Sequence, residues 1–289
     1  MRMKSMIAGV GLALAAAVAA NAETWRLAVT VVEGLERVQL EWGPFKEALE
    51  AASGDTFEFF AVNSRTAAAE ALRSEGVDFV VSGPAEYVVI NKLTEATPLV
   101  GLGRPDYFCA VVTRADSGIT SVDQLKGKTV AMSDIGSTSG HLCPLQLMAD
   151  LGVTRDDLGE IIHTSRNIMH EALKAGDVDA IGYNHNSWIR TRNEDTSVPN
   201  GLFRIIARSG DLPNDMLMVG AHVPTEAAER VRDAILENKE TIIAGILAHE
   251  ENDKYTGMDL VAIEDGAYDY VRSMYTTAGY PQFDDFIGE

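Results

Sequence analysis

The sequence predicts an α/β protein of mostly parallel sheets flanked by helices, and three observations carry that reading. Short apolar runs of strand length alternate with stretches whose apolar residues recur at helical spacing, an order that builds parallel sheets covered by helices. Composition is that of an ordinary globular chain of 289 residues, 46% hydrophobic and 23% charged. One strand then hands over to a helix through Asp134-Ile135-Gly136-Ser137-Thr138-Ser139-Gly140-His141-Leu142, which sets three hydroxyl residues between two glycines.

The elements follow in order. Met1-Arg2-Met3-Lys4 is a positive start, Met6 to Ala20 an apolar run, and Ala20-Asn21-Ala22 a small-x-small cleavage site, so 1–22 reads as a signal peptide and the mature chain is expected to be exported. A strand is predicted at 24–29. A helix over 42–52 carries Phe45, Ala48, Leu49 and Ala52 on one face, and a strand follows at 56–61. A helix at 66–75 ends at Gly76, the next strand covers 77–81, and Pro84 sits in the first turn of another helix. Strands are predicted at 98–101, 107–113 and 127–132. After the hydroxyl turn, Leu142, Leu145, Leu147 and Met148 space a helix. Then come a strand at 161–164, a helix at 168–175, strands at 178–182, 204–207 and 217–223, and a mostly helical tail from Thr225.

The hydroxyl turn is built to hold an anion. Glycines let the backbone approach a ligand, while unpaired N–H groups and the positive end of the helix dipole favour negative charge. A serine that merely caps a helix is the plainer alternative. The chain carries 43 acidic against 24 basic residues, a formal net charge of −19, which makes nucleic acid and anionic lipid poor partners. An anion site here must rely on local dipoles and a few positioned cations. The two cysteines, Cys109 and Cys143, could bridge in an exported protein. Two small buried thiols are the favoured reading, because sequence does not bring their Cα atoms within range.

In this order and spacing, several segments resemble the periplasmic substrate-binding proteins of phosphonate, phosphite and phosphate ABC transporters, over almost the whole mature chain. They are Asp134 to Gly140 followed by Pro144, Trp42-Gly43-Pro44, Gly76-Val77-Asp78 with Gly176-Asp177-Val178-Asp179, Gly83-Pro84-Ala85-Glu86-Tyr87-Val88, Arg114-Ala115-Asp116-Ser117-Gly118-Ile119 and Leu212-Pro213-Asn214-Asp215. The resemblance implies a two-lobed type II-like clamp that closes on ligand by a hinge. One lobe would be 23–113 plus 220–289 and the other 114–219. It implies that Ser137, Thr138 and Ser139 take phosphorus oxyanion oxygens, that Tyr87 and Tyr107 line the cleft, and that Asp215 accepts hydrogen bonds from the ligand.

Two departures from the family pattern bear on the ligand. Ser165-Arg166 stands where relatives commonly have Ser-His, and arginine keeps its charge and can grip an oxyanion with two N–H groups. Asn186 stands where binders of aminoalkylphosphonates place a glutamate, which argues against an amine-bearing ligand. Without the resemblance, Arg166 could be a surface residue, Asp215 a turn residue and the tyrosines core aromatics.

His141, His163, His170 and His185 show no convincing metal-ligand spacing, and no cofactor is implied. Three readings remain. A monomeric solute-binding protein feeding an ABC permease is favoured, ahead of a sensory protein feeding a membrane receptor. A phosphate-ester hydrolase using Ser137 or Ser139 stands last, for want of a metal set or positioned base.

Overall fold

The computed structural model describes residues 22–30, 34–62, 65–199 and 201–284. The expected signal peptide lies almost wholly outside them. No helix among the described residues is long and apolar enough to cross a membrane.

Two sheets, one per lobe, form the frame. The first contains β1 (Thr24–Val29), β2 (Thr56–Phe59), β3 (Phe79–Ser82), β4 (Thr97–Gly103), β10 (Asp215–Val219) and β11 (Asp259–Ala262), in the order β11-β4-β10-β3-β1-β2. The second contains β5 (Cys109–Arg114), β6 (Thr129–Met132), β7 (Glu160–His163), β8 (Ala180–Asn184) and β9 (Phe203–Arg208), in the order β7-β6-β8-β5-β9.

Both sheets are mixed, with most of their strands running one way and the rest against them. β1 runs parallel to β2 and β3, and β6 runs parallel to β7 and β8. β10 is antiparallel to both its neighbours, as is β5 to its own. The reason lies in the chain path. A strand that crosses from the other lobe enters at the end where the parallel strands finish, and so must run against them.

The crossings also shift the lobe boundaries. The chain leaves the first sheet after Gly103 and the second after Arg208, so β5 belongs to the second lobe and β10 to the first, earlier than the divisions expected at 113 and 219. Periodicity marks that a segment is a strand but not which sheet it joins, which is why these boundaries differ.

Helices cover the sheets. α1 (Leu35–Ser53) begins about two turns before the predicted start and buries Trp42, Phe45 and Leu49 against Phe57 and Phe79. α2 (Arg65–Arg73) and α3 (Pro84–Thr94) flank the other face. In the second lobe α4 (Cys143–Asp150), α5 (Arg166–Ala175) and α6 (His185–Glu194) pack on the five-stranded sheet, with Met169, Leu173, Tyr183 and Trp188 in a core of their own. α6 was not predicted; its sequence is polar, and Asn184 caps it by accepting from Ser187 N at 3.0 Å.

The tail contains α7 (Thr225–Glu237), α8 (Lys239–Ile246), the edge strand β11 and α9 (Asp269–Thr277). α9 does not stay with the first lobe. Val271 and Met274 share a core with Leu142 and Met148, Thr277 donates to Gln146 at 2.6 Å, Tyr270 to Asp150 at 3.2 Å, and Arg155 to the Ala278 carbonyl at 2.9 Å. The C-terminal helix thus straps the two lobes together.

Cys109 and Cys143 are joined in a disulfide with Cα atoms 6.1 Å apart, so the favoured reading of two thiols is corrected. Cys109 opens β5 and Cys143 opens α4. The fold juxtaposes them because Gly182 of β8 lets Pro144 pack flat on the sheet; a Cβ at Gly182 would fall 2.6 Å from the proline.

Candidate functional site

The carboxyl ends of the parallel strands face one another across a cleft of about 1100 Å³, the place where α/β sheets bind ligands. From the first lobe it is lined by Gly83 and Glu86 beyond β3, by Arg104 and Tyr107 beyond β4, and by Asp215 at the start of β10. From the second lobe it is lined by Ser133, Asp134 and Ser137 to Ser139 beyond β6, by Thr164 to Asn167 beyond β7, and by Asn184 and Asn186 beyond β8.

The hydroxyl turn is a single π-helical turn, Thr138–Leu142, that runs on into α4. Such turns are rare and recur at functional sites. The amides of Thr138, Ser139 and Gly140 open it and so have no intrahelical acceptor. Gly140 is required by contact, since a Cβ there would lie 2.4 Å from Ser133 Oγ. The hydroxyls have defined polarity. Thr138 Oγ1 accepts from Ala85 N across the cleft at 3.0 Å, and Ser139 Oγ accepts from Asn184 Nδ2 at 3.1 Å. An oxygen that accepts from an amide keeps its own proton to give elsewhere, so Thr138 is poised as a donor.

Behind the turn, His141 is buried and its Nδ1 accepts from Gly136 N at 3.1 Å. Burial, with His163 and Arg155 nearby, pushes its pKa from 6.5 down to about 4. The sign follows directly. An unfolded histidine takes up a proton as pH falls through 6.5, whereas the folded one resists until about 4, so stability present above 6.5 is lost on acidification. We expect urea denaturation at pH 4.5 to find the protein about 2.5 kcal/mol less stable than at pH 7 from this group alone. His141→Asn, which keeps an acceptor but does not titrate, should flatten that dependence; an unchanged slope would remove His141 as its source.

On the opposite wall, Asp215 is the centre of a buried charge cluster. Its Oδ1 accepts from Arg104 Nη2 at 2.9 Å, and its Oδ2 accepts from the Tyr255 hydroxyl at 2.6 Å and from Lys254 Nζ at 3.4 Å. Burial alone would raise the Asp215 pKa, but Arg104, Lys254 and the Tyr255 hydroxyl outweigh it and hold the carboxyl below its ordinary range. Burial likewise works against the charge on Arg104 and is outweighed by Asp215, leaving its pKa raised. The Arg104 guanidinium lies 3.7 Å above the Tyr107 ring, a cation–π contact that fixes its plane in the wall of the cleft. Its Nε is buried with no hydrogen-bond partner.

The predicted site residues divide as follows. Ser137, Thr138, Ser139, Arg166, Tyr107, Asp215 and Asn186 all line the one cleft. Arg166 is exposed at the first turn of α5, where its carbonyl accepts from the Tyr183 hydroxyl at 3.2 Å. Tyr87 does not line the cleft: it is fully buried in α3, its hydroxyl donates to Asp265 at 2.5 Å, and its ring packs on Tyr268 at 4.6 Å. A tyrosine four residues into a helix whose N-terminus faces the cleft points back into the core. Arg104, Lys254 and Tyr255 were missed. Arg104 had a weak signal, standing three residues beyond the strand predicted at 98–101; it directly follows β4 only because that strand runs on to Gly103.

Away from the cleft, His170, Glu171 and Asp195 converge closely enough to hold an ion. Lys174 Nζ lies 2.8 Å from Asp195 and supplies that positive charge itself.

Comparison with known proteins agrees with the architecture. The model of a family described as the periplasmic substrate-binding protein of phosphonate ABC transporters matches residues 27–260. Over 161 residues, 53% of the chain, the sequence is 29% identical to a tetrathionate sensor histidine kinase of Salmonella typhimurium. Over 140 residues, 46% of the chain, it is 30% identical to the phosphate-import protein PhnD of Mycolicibacterium smegmatis. These matches span only 26% and 44% of the two relatives. Among solved structures, XAC2383 from Xanthomonas citri bound to ATP superposes with a TM-score of 0.71 at 17% identity, covering 92% of this chain and 99% of that one, a likeness of fold.

Proposed function

The chain belongs to the periplasmic substrate-binding proteins of phosphonate ABC transporters, and from that premise we propose that it captures a phosphorus oxyanion in its cleft and presents it to an ABC permease. Phosphonate, phosphite and phosphate are the candidate ligands, and the protein works as an exported monomer. The observation that carries the reading is the turn Ser137-Thr138-Ser139: open amides and proton-bearing hydroxyls at the ends of parallel strands, on a chain of net charge −19.

No chemistry is required of the site. The family is one of transport proteins, and a hydrolytic role for Ser139 would need a base on its oxygen, where the Asn184 amide stands as a donor instead. In the proposed cycle, the ligand is taken by the turn of the second lobe, with Arg166 adding a charge-assisted contact. The first lobe then closes over it by bending at the two crossings, 104–108 and 209–214. The Ala85 to Thr138 hydrogen bond and the α9 strap limit how far the lobes can part.

A second reading, capture of an oxyanion for a membrane receptor, is supported by the identity with the tetrathionate sensor kinase. Calorimetric titration of the purified protein with phosphate, phosphite, methylphosphonate, sulfate and tetrathionate separates these ligands. We expect one-to-one binding of a phosphorus anion with sulfate silent. Tetrathionate as the tightest ligand would move the protein to the second reading, and silence throughout would overturn the site. Thr138→Val and Arg166→Ala should each weaken binding by about 1.5–3 kcal/mol; unchanged affinity in both would remove these residues from the site.

A further inference from the structure

We propose that Arg104 sets the ligand class by taking the place of a ligand ammonium on Asp215, so that the oxyanion bound in this cleft carries no amine. The inference rests on the phosphorus-oxyanion reading above and narrows it.

Both Asp215 oxygens are already engaged, Oδ1 by Arg104 and Oδ2 by Tyr255 and Lys254. An incoming ammonium would have to displace Arg104. That side chain is only 8% exposed and lies flat on the Tyr107 ring at 3.7 Å, so it has no solvated position to retreat to without opening the cluster. Two cations on a single buried carboxylate already leave this point of the wall positive. Glu86, a second buried carboxylate here, lies against Gly83 with Oε2 2.6 Å from where a Cβ would stand, and at best balances the charge; Glu41, the third, is already held by Arg37, whose Nε and Nη2 donate to its Oε1 at 3.0 and 2.6 Å. The remaining acids of the lining, Asp106, Asp134, Glu250, Glu251 and Asp253, are exposed at the mouth, where water screens them. Asn186, facing from the second lobe, brings no charge.

Arg104 also retains an unmet demand. Its Nε is buried and lacks a partner, and a buried donor is normally satisfied by an acceptor. An oxyanion oxygen or a neutral acceptor on the ligand meets that need; an ammonium, which only donates, does not.

The test uses a near-isosteric pair, ethylphosphonate and 2-aminoethylphosphonate, titrated calorimetrically into the purified wild-type protein and into Arg104→Gln. Wild type should prefer ethylphosphonate by roughly a hundredfold, since a like charge is forced against the cluster. Arg104→Gln should narrow that ratio at least about tenfold by releasing Asp215 Oδ1. Adding Asp215→Asn to Arg104→Gln should abolish the gain for the amine. Equal or tighter binding of 2-aminoethylphosphonate by wild type would overturn the proposal even if Arg104→Gln fails to fold, as would an unchanged ratio in a folded variant. Silence of wild type toward both phosphonates and toward phosphate and phosphite as well would instead strike the phosphorus-oxyanion reading itself, whereas binding of phosphate or phosphite alone would keep that reading and overturn Arg104 as the determinant, the size of the cleft then excluding both phosphonates.

Discussion

Replacing Asp215 with asparagine is expected to destabilise the protein by about 3–5 kcal/mol, the cost of leaving a buried cation without its carboxylate. Arg104 bears most of that cost. Lys254 can swing outward, its side chain being 35% exposed, or give up its proton, since burial already lowers its pKa. Arg104 can do neither, being always charged near neutral pH and walled in by Tyr107. The melting temperature should fall by roughly 10 °C. Arg104→Met placed on the Asp215→Asn background should restore most of the loss, because an apolar side chain of similar length removes the orphaned charge. The pH dependence has a definite sign. With its pKa held below the ordinary carboxylate value, Asp215 is ionised throughout the neutral range, so the gap between wild type and variant should be constant from pH 5 to 8 and shrink only in strong acid. A loss well below 1 kcal/mol, or no rescue by Arg104→Met, would show that the cluster is not the electrostatic centre described above.

What was legible in the sequence was what is local. The hydroxyl turn declares itself because the residues that shape the backbone and those that could donate are neighbours in the chain, and Ser137, Thr138 and Ser139 line the cleft. Strand and helix periods were legible for the same reason, to within a few residues at most boundaries. The features that escaped are products of the chain crossing between lobes. Periodicity does not encode that β5 and β10 join the other sheet and run antiparallel within it. Lys254 and Tyr255 come from a polar tail segment some forty positions after Asp215, with no pattern to point there. Tyr87 illustrates the converse: its motif was recognisable, but the first turn of α3 approaches the cleft through backbone, so Ala85 N reaches Thr138 while Tyr87 faces inward.

The disulfide supplies the second large effect. Cys109 and Cys143 are separated by 34 residues, and closing a loop of that length restricts the unfolded chain by about 3–4 kcal/mol on the loop-entropy account. The bond also has a local consequence, because Cys143 is the residue at which the π-helical turn passes into α4, and Cys143 N donates to the Thr138 carbonyl. Cys109 stands at the entrance of β5, paired with Asn184 across the ladder, and Asn184 in turn donates to Ser139. Removing the bridge therefore loosens both anchors of the hydroxyl turn at once. The Cys109→Ala/Cys143→Ala protein should lose about 3–4 kcal/mol in urea denaturation and also bind its oxyanion more weakly, with the affinity loss appearing as faster dissociation. Both sulfurs are fully buried, so dithiothreitol should leave the native wild-type protein oxidised and act only as it unfolds. A variant as stable as wild type would mean that packing of Pro144 on Gly182 already holds α4 to the sheet. A destabilised variant with unaltered affinity would mean that the turn is held by its own hydrogen bonds, Gly136 to His141 foremost, independently of the bridge.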